Sequence, residues 1–350
     1  MALLEARDLV KHFPGRGGSA AGPSHRAGRL GGAKRRVVHA LEGVSFAVDA
    51  GETLALVGES GSGKTTAGLI SLALLAPTSG RVFFEGNEIT AMGRRSLREM
   101  RRSMQIVFQD PYESLNPRMT AGDAIAEPLI VNQALARREA RRRAYELLEE
   151  VGLEPGLARR YPRELSSGQR QRVGIARAIA LRPKLVVCDE PVSALDVSVR
   201  AEVLELLARL QREHGLAYLF ISHDLAVVGR TAQRVAVMYL GSIVEEGNLE
   251  SVYQAPHHPY TQALLSAVPV PDPVKERSRK RIVLRGEIPD AADPPAGCRF
   301  HPRCPLATDV CVDREPLAVQ VGEGHKAACH FASPNPIGSQ AVLETRAHFD

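Results

Sequence analysis

The stretch "VGESGSGKTT", Val57 to Thr66, decides how the rest of the chain reads. Residues 58–65 satisfy the pattern G-x-x-x-x-G-K-[ST] in full. The apolar run before it predicts a strand over 53–57. The residues after it predict a helix over 64–75 that stops before Pro77. Glycines at 58, 61 and 63 let the backbone curl until its N–H groups converge on phosphate oxygens, and the helix N-terminus adds a favourable dipole. Gly58, Glu59, Ser60, Gly61, Ser62, Gly63, Lys64, Thr65 and Thr66 are therefore the candidate nucleotide-binding residues. Lys64 suits a bridge between the β- and γ-phosphates, and the Thr65 hydroxyl suits Mg²⁺.

Downstream, "LVVCDE" (185–190) is an apolar run ending in two acids. A buried strand there delivers Asp189 and Glu190 to the carboxyl edge of a sheet, beside the phosphate loop. Asp189 then serves Mg²⁺, and Glu190 polarises a water as general base. Cys188, inside the strand, reads as a small core hydrophobe.

Strand patterns also fall at 3–10, 44–48, 80–86, 103–109, 217–221 and 235–238, with a mostly helical stretch between Thr120 and Ala180. Strands alternating with helices imply an α/β fold with a largely parallel sheet. Residues 14–36, rich in Gly, Arg and Ala, read as a flexible insertion. Near residue 255 prolines cluster and a smaller appended domain begins.

Composition narrows the partners only loosely. With 350 residues, 44% hydrophobic, no Trp and a net charge of +5, the chain is an ordinary globular protein that permits an anionic partner without selecting one. Few aromatics argue against a stacking platform for single-stranded nucleic acid. The arginine run "RREARRRA" (137–144) reads first as a solvated helix face and second as a contact for acidic lipid or a membrane partner. The N-terminus shows no signal-peptide pattern and no window is apolar enough to span a bilayer, so a cytosolic chain with reduced thiols is expected.

A third motif sets the class. "ELSSGQRQRVGIARAIALRPKLVVCDEPVSALD" (164–196) resembles the ATP-binding cassette (ABC) family, whose L-S-G-G-Q signature precedes the acidic strand. Here it reads Leu165-Ser166-Ser167-Gly168-Gln169. The resemblance implies a RecA-like parallel core, an antiparallel β subdomain and an inserted helical subdomain at about 110–180. It implies that Ser166, Ser167, Gly168 and Gln169 act on the γ-phosphate held by a partner subunit. Ser167 replaces the usual glycine and is costly if that position needs a positive φ. By the same resemblance Gln109 is the Q-loop residue, which touches Mg²⁺. Ser193 and Asp196 belong to the D-loop, His223 is the switch histidine, and Phe13 stacks on adenine.

"QDPYESLNPRMT" (109–120) and "HPYTQALLSAVP" (258–269) narrow the likeness to the ATPase subunits of oligopeptide and dipeptide importers, in the second form of the usual unlike pair. This implies an ATP- and Mg²⁺-dependent hydrolase over 1–255 and an oligopeptide-transporter-type domain over 256–335, with 336–350 a disordered tail. Its partners would be a second ATPase subunit, two transmembrane permease subunits and, indirectly, an extracytoplasmic binding protein. It would sit peripherally at the cytoplasmic membrane face and contact no nucleic acid. Related importers also take nickel chelates or other small solutes. Rival readings are a DNA-repair or chromosome ATPase, a translation factor and a non-catalytic subunit. The unsplit cassette, the single phosphate loop, and the presence of Glu190 and His223 argue against them in turn.

The tail carries Cys298, Cys304, Cys311 and Cys329. A reducing cytosol disfavours disulfides, and four unconnected thiols leave the clustering unexplained. A metal centre remains: a [4Fe–4S] cluster, favoured because no C-x2-4-C knuckle occurs, or zinc. Either is expected to staple a small domain that stands apart from the ATP chemistry.

Overall fold

The computed structural model describes residues 2–15, 36–269, 277 and 281–332. Most of the insertion read at 14–36, and all of the tail at 336–350, lie outside the described residues.

Two sheets organise the molecule. The central one is built on β3 (Thr53–Val57), β6 (Met104–Val107), β7 (Leu185–Asp189), β8 (Ala217–Ser222) and β9 (Arg234–Tyr239). β3 runs parallel to both β8 and β9, and β7 parallel to both β6 and β8. Every residue of β3, β7 and β8 is buried, as expected of strands covered on both faces. The second sheet is antiparallel: β1 (Leu4–Pro14) pairs with β2 (Val37–Val48) and with β4 (Ser79–Phe84), which carries the short β5 (Asn87–Glu88). Between the sheets lies α1 (Lys64–Ser71), with Ala67, Gly68 and Ile70 buried. This is the RecA-like core with an antiparallel β subdomain that the family resemblance implied.

α2 (Arg94–Met100) precedes β6 and packs Leu97 and Met100 on the core shared with the antiparallel sheet; between β6 and β7 come α3 (Pro111–Ser114), α4 (Ala121–Gln133), α5 (Arg137–Glu150) and α6 (Ser167–Ile179). α5 is the arginine run. It buries Ala140, Ala144 and Leu148. On its outer face Arg142 pairs with Glu139 and Glu146, and Arg141 with Asp123, which makes this a solvated, ion-paired surface.

Some limits differ from expectation. α1 ends at Ser71, short of Leu75, because Ala73 adopts a left-handed φ of 49° and breaks the ladder. β2 begins at Val37, earlier than Val44, because its outer half pairs with the end of β1 beyond three register shifts.

After α7 (Val197–His214), α8 (Leu225–Thr231) and β10 (Ser242–Asn248), the chain forms α9 (Leu249–Gln254), α10 (Pro259–Ala267) and α11 (Asp309–Asp313). It then returns to the central sheet. β12 (His325–Ala327) pairs antiparallel with β10, and β11 (Val319–Gly322) pairs with β12. The central sheet therefore reads β11-β12-β10-β9-β3-β8-β7-β6. A buried carboxylate ties this junction. Glu245 on β10 accepts the backbone N–H groups of His257 and His258 at 2.7 and 3.0 Å and lies 2.8 Å from His325 Nε2. Among the described residues, no helix is long and apolar enough to cross a membrane.

Candidate nucleotide-binding and hydrolysis site

The phosphate loop leaves β3 and enters α1. At the helix N-cap Gly63 has φ 100°, and a Cβ there would fall 2.4 Å from the Ala40 carbonyl of β2, so no larger residue fits. Lys64 is buried, and Nζ donates to Gly58 O at 2.8 Å, Glu59 O at 2.9 Å and Ser62 Oγ at 3.3 Å. Burial pulls its ammonium below the ordinary lysine value, against the opposing charges of Glu190, Asp189 and Glu59. The loop thus holds a desolvated cation on its own carbonyls, ready for exchange to anionic oxygens.

The carboxyl edges of four neighbouring strands supply the rest. Thr65 Oγ donates to Asp189 Oδ1 at 3.1 Å, so the two expected Mg²⁺ ligands already share one place. Burial raises the Asp189 pKa and the adjacent Glu190 adds to it. The Thr65 hydrogen bond and the Lys64 charge act the other way. A desolvated carboxylate beside a hydroxyl suits a hard dication, so these residues fit Mg²⁺. Glu190 follows β7 with a left-handed φ of 44°, the kind of strained backbone that persists where the surroundings fix it. Its Oε2 accepts Gln109 Nε2 at 3.0 Å, and its Oε1 lies 3.0 Å from His223 Nδ1. Gln109 comes from the loop after β6 and His223 from the loop after β8. Residues drawn from a span of 114 positions, Gln109 to His223, thereby meet at the Glu190 carboxylate.

The signature opens α6. Ser166 is the N-cap, its hydroxyl accepting Gln169 N–H at 3.2 Å while Gln169 Oε1 accepts Ser166 N–H at 2.9 Å. Ser167 is the first helical residue and has no positive φ, so serine in place of glycine carries no backbone strain. The glycine that geometry demands is Gly168, where a Cβ would lie 2.5 Å from Val199 Cγ1 of α7. In the D-loop, Ser193 Oγ donates to Glu190 O at 3.0 Å, and Asp196 is the N-cap of α7. Phe13 lies near the end of β1 opposite Val38, with Lys11 Nζ 4.9 Å from its ring centre.

Sequence reasoning missed two contacts. Tyr260 and Arg303, both beyond the cassette motifs, reach Glu59 of the phosphate loop. It also missed a trio beside the phosphate loop in which His12 and His39 both address Glu42 Oε1 at 2.6 Å.

All five cysteines are free. Burial pushes the thiols of Cys298 and Cys329 up, and Cys304 up to about 11. Nearby backbone N–H groups oppose that shift without reversing it: Phe300 and His301 at Cys298, Leu306 at Cys304, Phe331 and Ala332 at Cys329. Yet among the described residues no set of three or more ligand atoms within 4.8 Å of one another includes a cysteine. The expected metal centre at Cys298, Cys304, Cys311 and Cys329 is thus not supported by a closed ligand group.

Residues 41–193 match the ABC transporter family, and residues 244–311 match the oligopeptide/dipeptide transporter C-terminal region. The probable peptide ABC transporter ATP-binding protein y4tS of Sinorhizobium fredii is 51% identical over 95% of this chain and 91% of its own length. The oligopeptide transport ATP-binding protein AppF of Bacillus subtilis is 48% identical over 95% and 98%. The dimeric bacterial ABC transporter cassette MJ0796 superposes with a TM-score of 0.60 at 30% identity, over 70% of this chain and 98% of that one. Likeness of this depth, across both regions and nearly the whole length, makes the chain a member of the ATP-binding subunits of oligopeptide and dipeptide ABC transporters.

Proposed function

We propose that the chain hydrolyses ATP at an interface with a second, non-identical ATPase subunit, at the cytoplasmic face of a membrane, to drive peptide uptake through two permease subunits served by an extracytoplasmic binding protein. The observation that carries this is the carboxylate of Glu190, held between Gln109 and His223 one residue beyond the Asp189–Thr65 pair.

The roles follow from position. Phe13 stacks on adenine, and the loop Gly58–Thr66 receives the phosphates on its N–H groups and on Lys64. Thr65, Asp189 and Gln109 hold Mg²⁺, which when bound neutralises charge on the phosphate oxygens. Glu190 takes the proton of the attacking water, while His223 and Gln109 keep its two oxygens oriented. Ser166, Ser167, Gly168 and Gln169 present a helix N-terminus to nucleotide in the partner's site, with Ser193 and Asp196 lying across the interface.

The four tail cysteines are proposed to hold an iron–sulfur cluster that, when bound, cross-links the loops of the tail. The gathering of the four cysteines supports this: Cys298 and Cys304 flank one turn, and the Cys298 N–H donates to the Cys311 carbonyl at 2.8 Å. Their separation weighs against a single zinc, whose ligands at about 2.3 Å must crowd together.

The deciding experiment is reconstitution of the chain with its neighbouring ATPase and permeases in proteoliposomes. Peptide with binding protein should stimulate ATP hydrolysis. Stimulation by a nickel chelate and not by peptide would reassign the cargo. No stimulation by either would remove the transport role.

A further inference from the structure

The tail does not stand apart from the phosphate loop. Tyr260 of α10, fully buried, accepts the backbone N–H of Glu59 on its hydroxyl at 2.8 Å. That N–H belongs to the peptide unit whose other end, the Gly58 carbonyl, accepts Lys64 Nζ at 2.8 Å. Tyr260 therefore grips one side of a peptide plane that holds the catalytic lysine on the other. Arg303, from the turn His301–Arg303, donates Nη1 and Nη2 to the Glu59 carboxylate at 2.6 and 3.0 Å. This side chain is only 7% exposed, so the two-pronged contact is shielded from water.

Behind both residues is an aromatic wall. Tyr239 lies 4.8 Å from Tyr260 and 5.2 Å from Phe300, ring centre to ring centre, and the Arg303 guanidinium lies 5.9 Å over Tyr239. The wall fixes where Tyr260 and Arg303 point. It also ties them to the cysteine-bearing turn, because Phe300 and Arg303 fall between Cys298 and Cys304.

Glu59 poses an electrostatic difficulty. It sets a carboxylate on a loop that must receive a polyanion, and the buried guanidinium cancels that charge. We propose that Arg303 and Tyr260 are positioning residues of the phosphate loop. Through Glu59 they hold the Gly58–Glu59 peptide in the form that presents Lys64, and Arg303 removes a charge that would repel ATP. The state of the cysteine-bearing turn is thereby felt at the nucleotide. The proposal rests on residues 58–65 being the phosphate loop.

The test measures MgATP dissociation constants of the full chain by equilibrium dialysis. Arg303→Gln should weaken binding about tenfold, within the usual range of coupling between sites, and Tyr260→Phe by a smaller factor. Restoring neutrality with Glu59→Gln in the Arg303→Gln chain should recover binding to within about threefold of the parent, which lost packing alone cannot do. If Arg303→Gln does not fold, Arg303→Lys takes its place and should still weaken binding measurably. Wild-type affinity in a folded Arg303 variant, or a double variant as weak as the single one, overturns the proposal. Lys64→Ala keeps the two readings separate. If it binds ATP normally, the phosphate-loop reading itself fails. If it does not bind and the Arg303 variants bind normally, only this inference fails.

Discussion

His223 Nδ1 and Glu190 Oε1 lie 3.0 Å apart, on loops that follow two adjacent parallel strands. The second oxygen of the same carboxylate is taken by Gln109. Both oxygens of the carboxylate proposed as general base are thus oriented by neighbours. The Glu190 side chain is 14% exposed against 56% for His223, so the carboxylate proposed as the base is sheltered and the histidine faces outward.

Glu190→Gln keeps the shape of the side chain and a hydrogen-bonding oxygen but removes the base. Hydrolysis in the assembled transporter should fall by at least about a hundredfold, the contribution typical of a general base. ATP binding and ATP-dependent association with the partner should persist, because neither needs a proton acceptor at that position. Turnover at the parent rate would sink the role given to Glu190.

The signature makes a contrast between two adjacent residues. Ser167→Gly removes a hydroxyl from a helix position with ordinary φ, and should change the melting temperature and the hydrolysis rate little. Gly168→Ala puts a methyl group 2.5 Å from Val199 Cγ1 and forces α6 away from α7, an overpacking that costs about 1–3 kcal/mol. Melting temperature and hydrolysis should fall together, and Val199→Ala in the same chain should restore both. Failure of Val199→Ala to rescue would show that something other than this contact makes glycine necessary.

How far the sequence could be read follows from the range of each signal. β3 and β7 were legible because every residue is buried, leaving unbroken apolar runs. The meeting of Gln109, Glu190 and His223 could be anticipated because each lies one or two residues past the end of a parallel strand, with Asp189 at the end of β7. The capping box at Ser166 and Gln169 is local too, but residue type alone does not fix the φ of Ser167, which is not positive. The Tyr260 and Arg303 contacts to Glu59 span 201 and 244 positions. No periodicity in a proline-rich segment signals a partner at that distance. The tail's return to the central sheet was hidden for a similar reason: β12 is three residues long, too short to announce a strand.

The cysteine tail gives a chemical prediction. Protein purified without oxygen should carry iron and acid-labile sulfide together, with visible sulfur-to-iron charge-transfer absorption. Replacing Cys304 with serine should lower both contents and, through the adjacent Arg303, weaken ATP binding. Stoichiometric zinc without visible absorption would replace the cluster by a mononuclear site. Metal-free protein of undiminished stability would leave the cysteines as thiols.

His258 makes the junction between cassette and tail sensitive to acid. It is 1% exposed and caps α10 by accepting Tyr260 N–H on Nδ1 at 3.1 Å, while its backbone N–H donates to Glu245. Burial pushes its pKa down to about 4, although the Glu245 charge opposes the shift. In the unfolded chain the imidazole returns to its ordinary value near 6.5. As pH falls below that value the unfolded state takes up the proton first, so the stability this residue confers is present above pH 6.5 and is lost on the way to pH 4. Between pH 7.5 and 5 the loss amounts to about 2 kcal/mol. His258→Asn keeps an oxygen that can accept Tyr260 N–H but cannot titrate in this range. Thermal melts of parent and variant should therefore differ most at neutral pH and converge toward pH 5, with the shallower pH dependence in the variant. Equal slopes for the two proteins would remove His258 as the source.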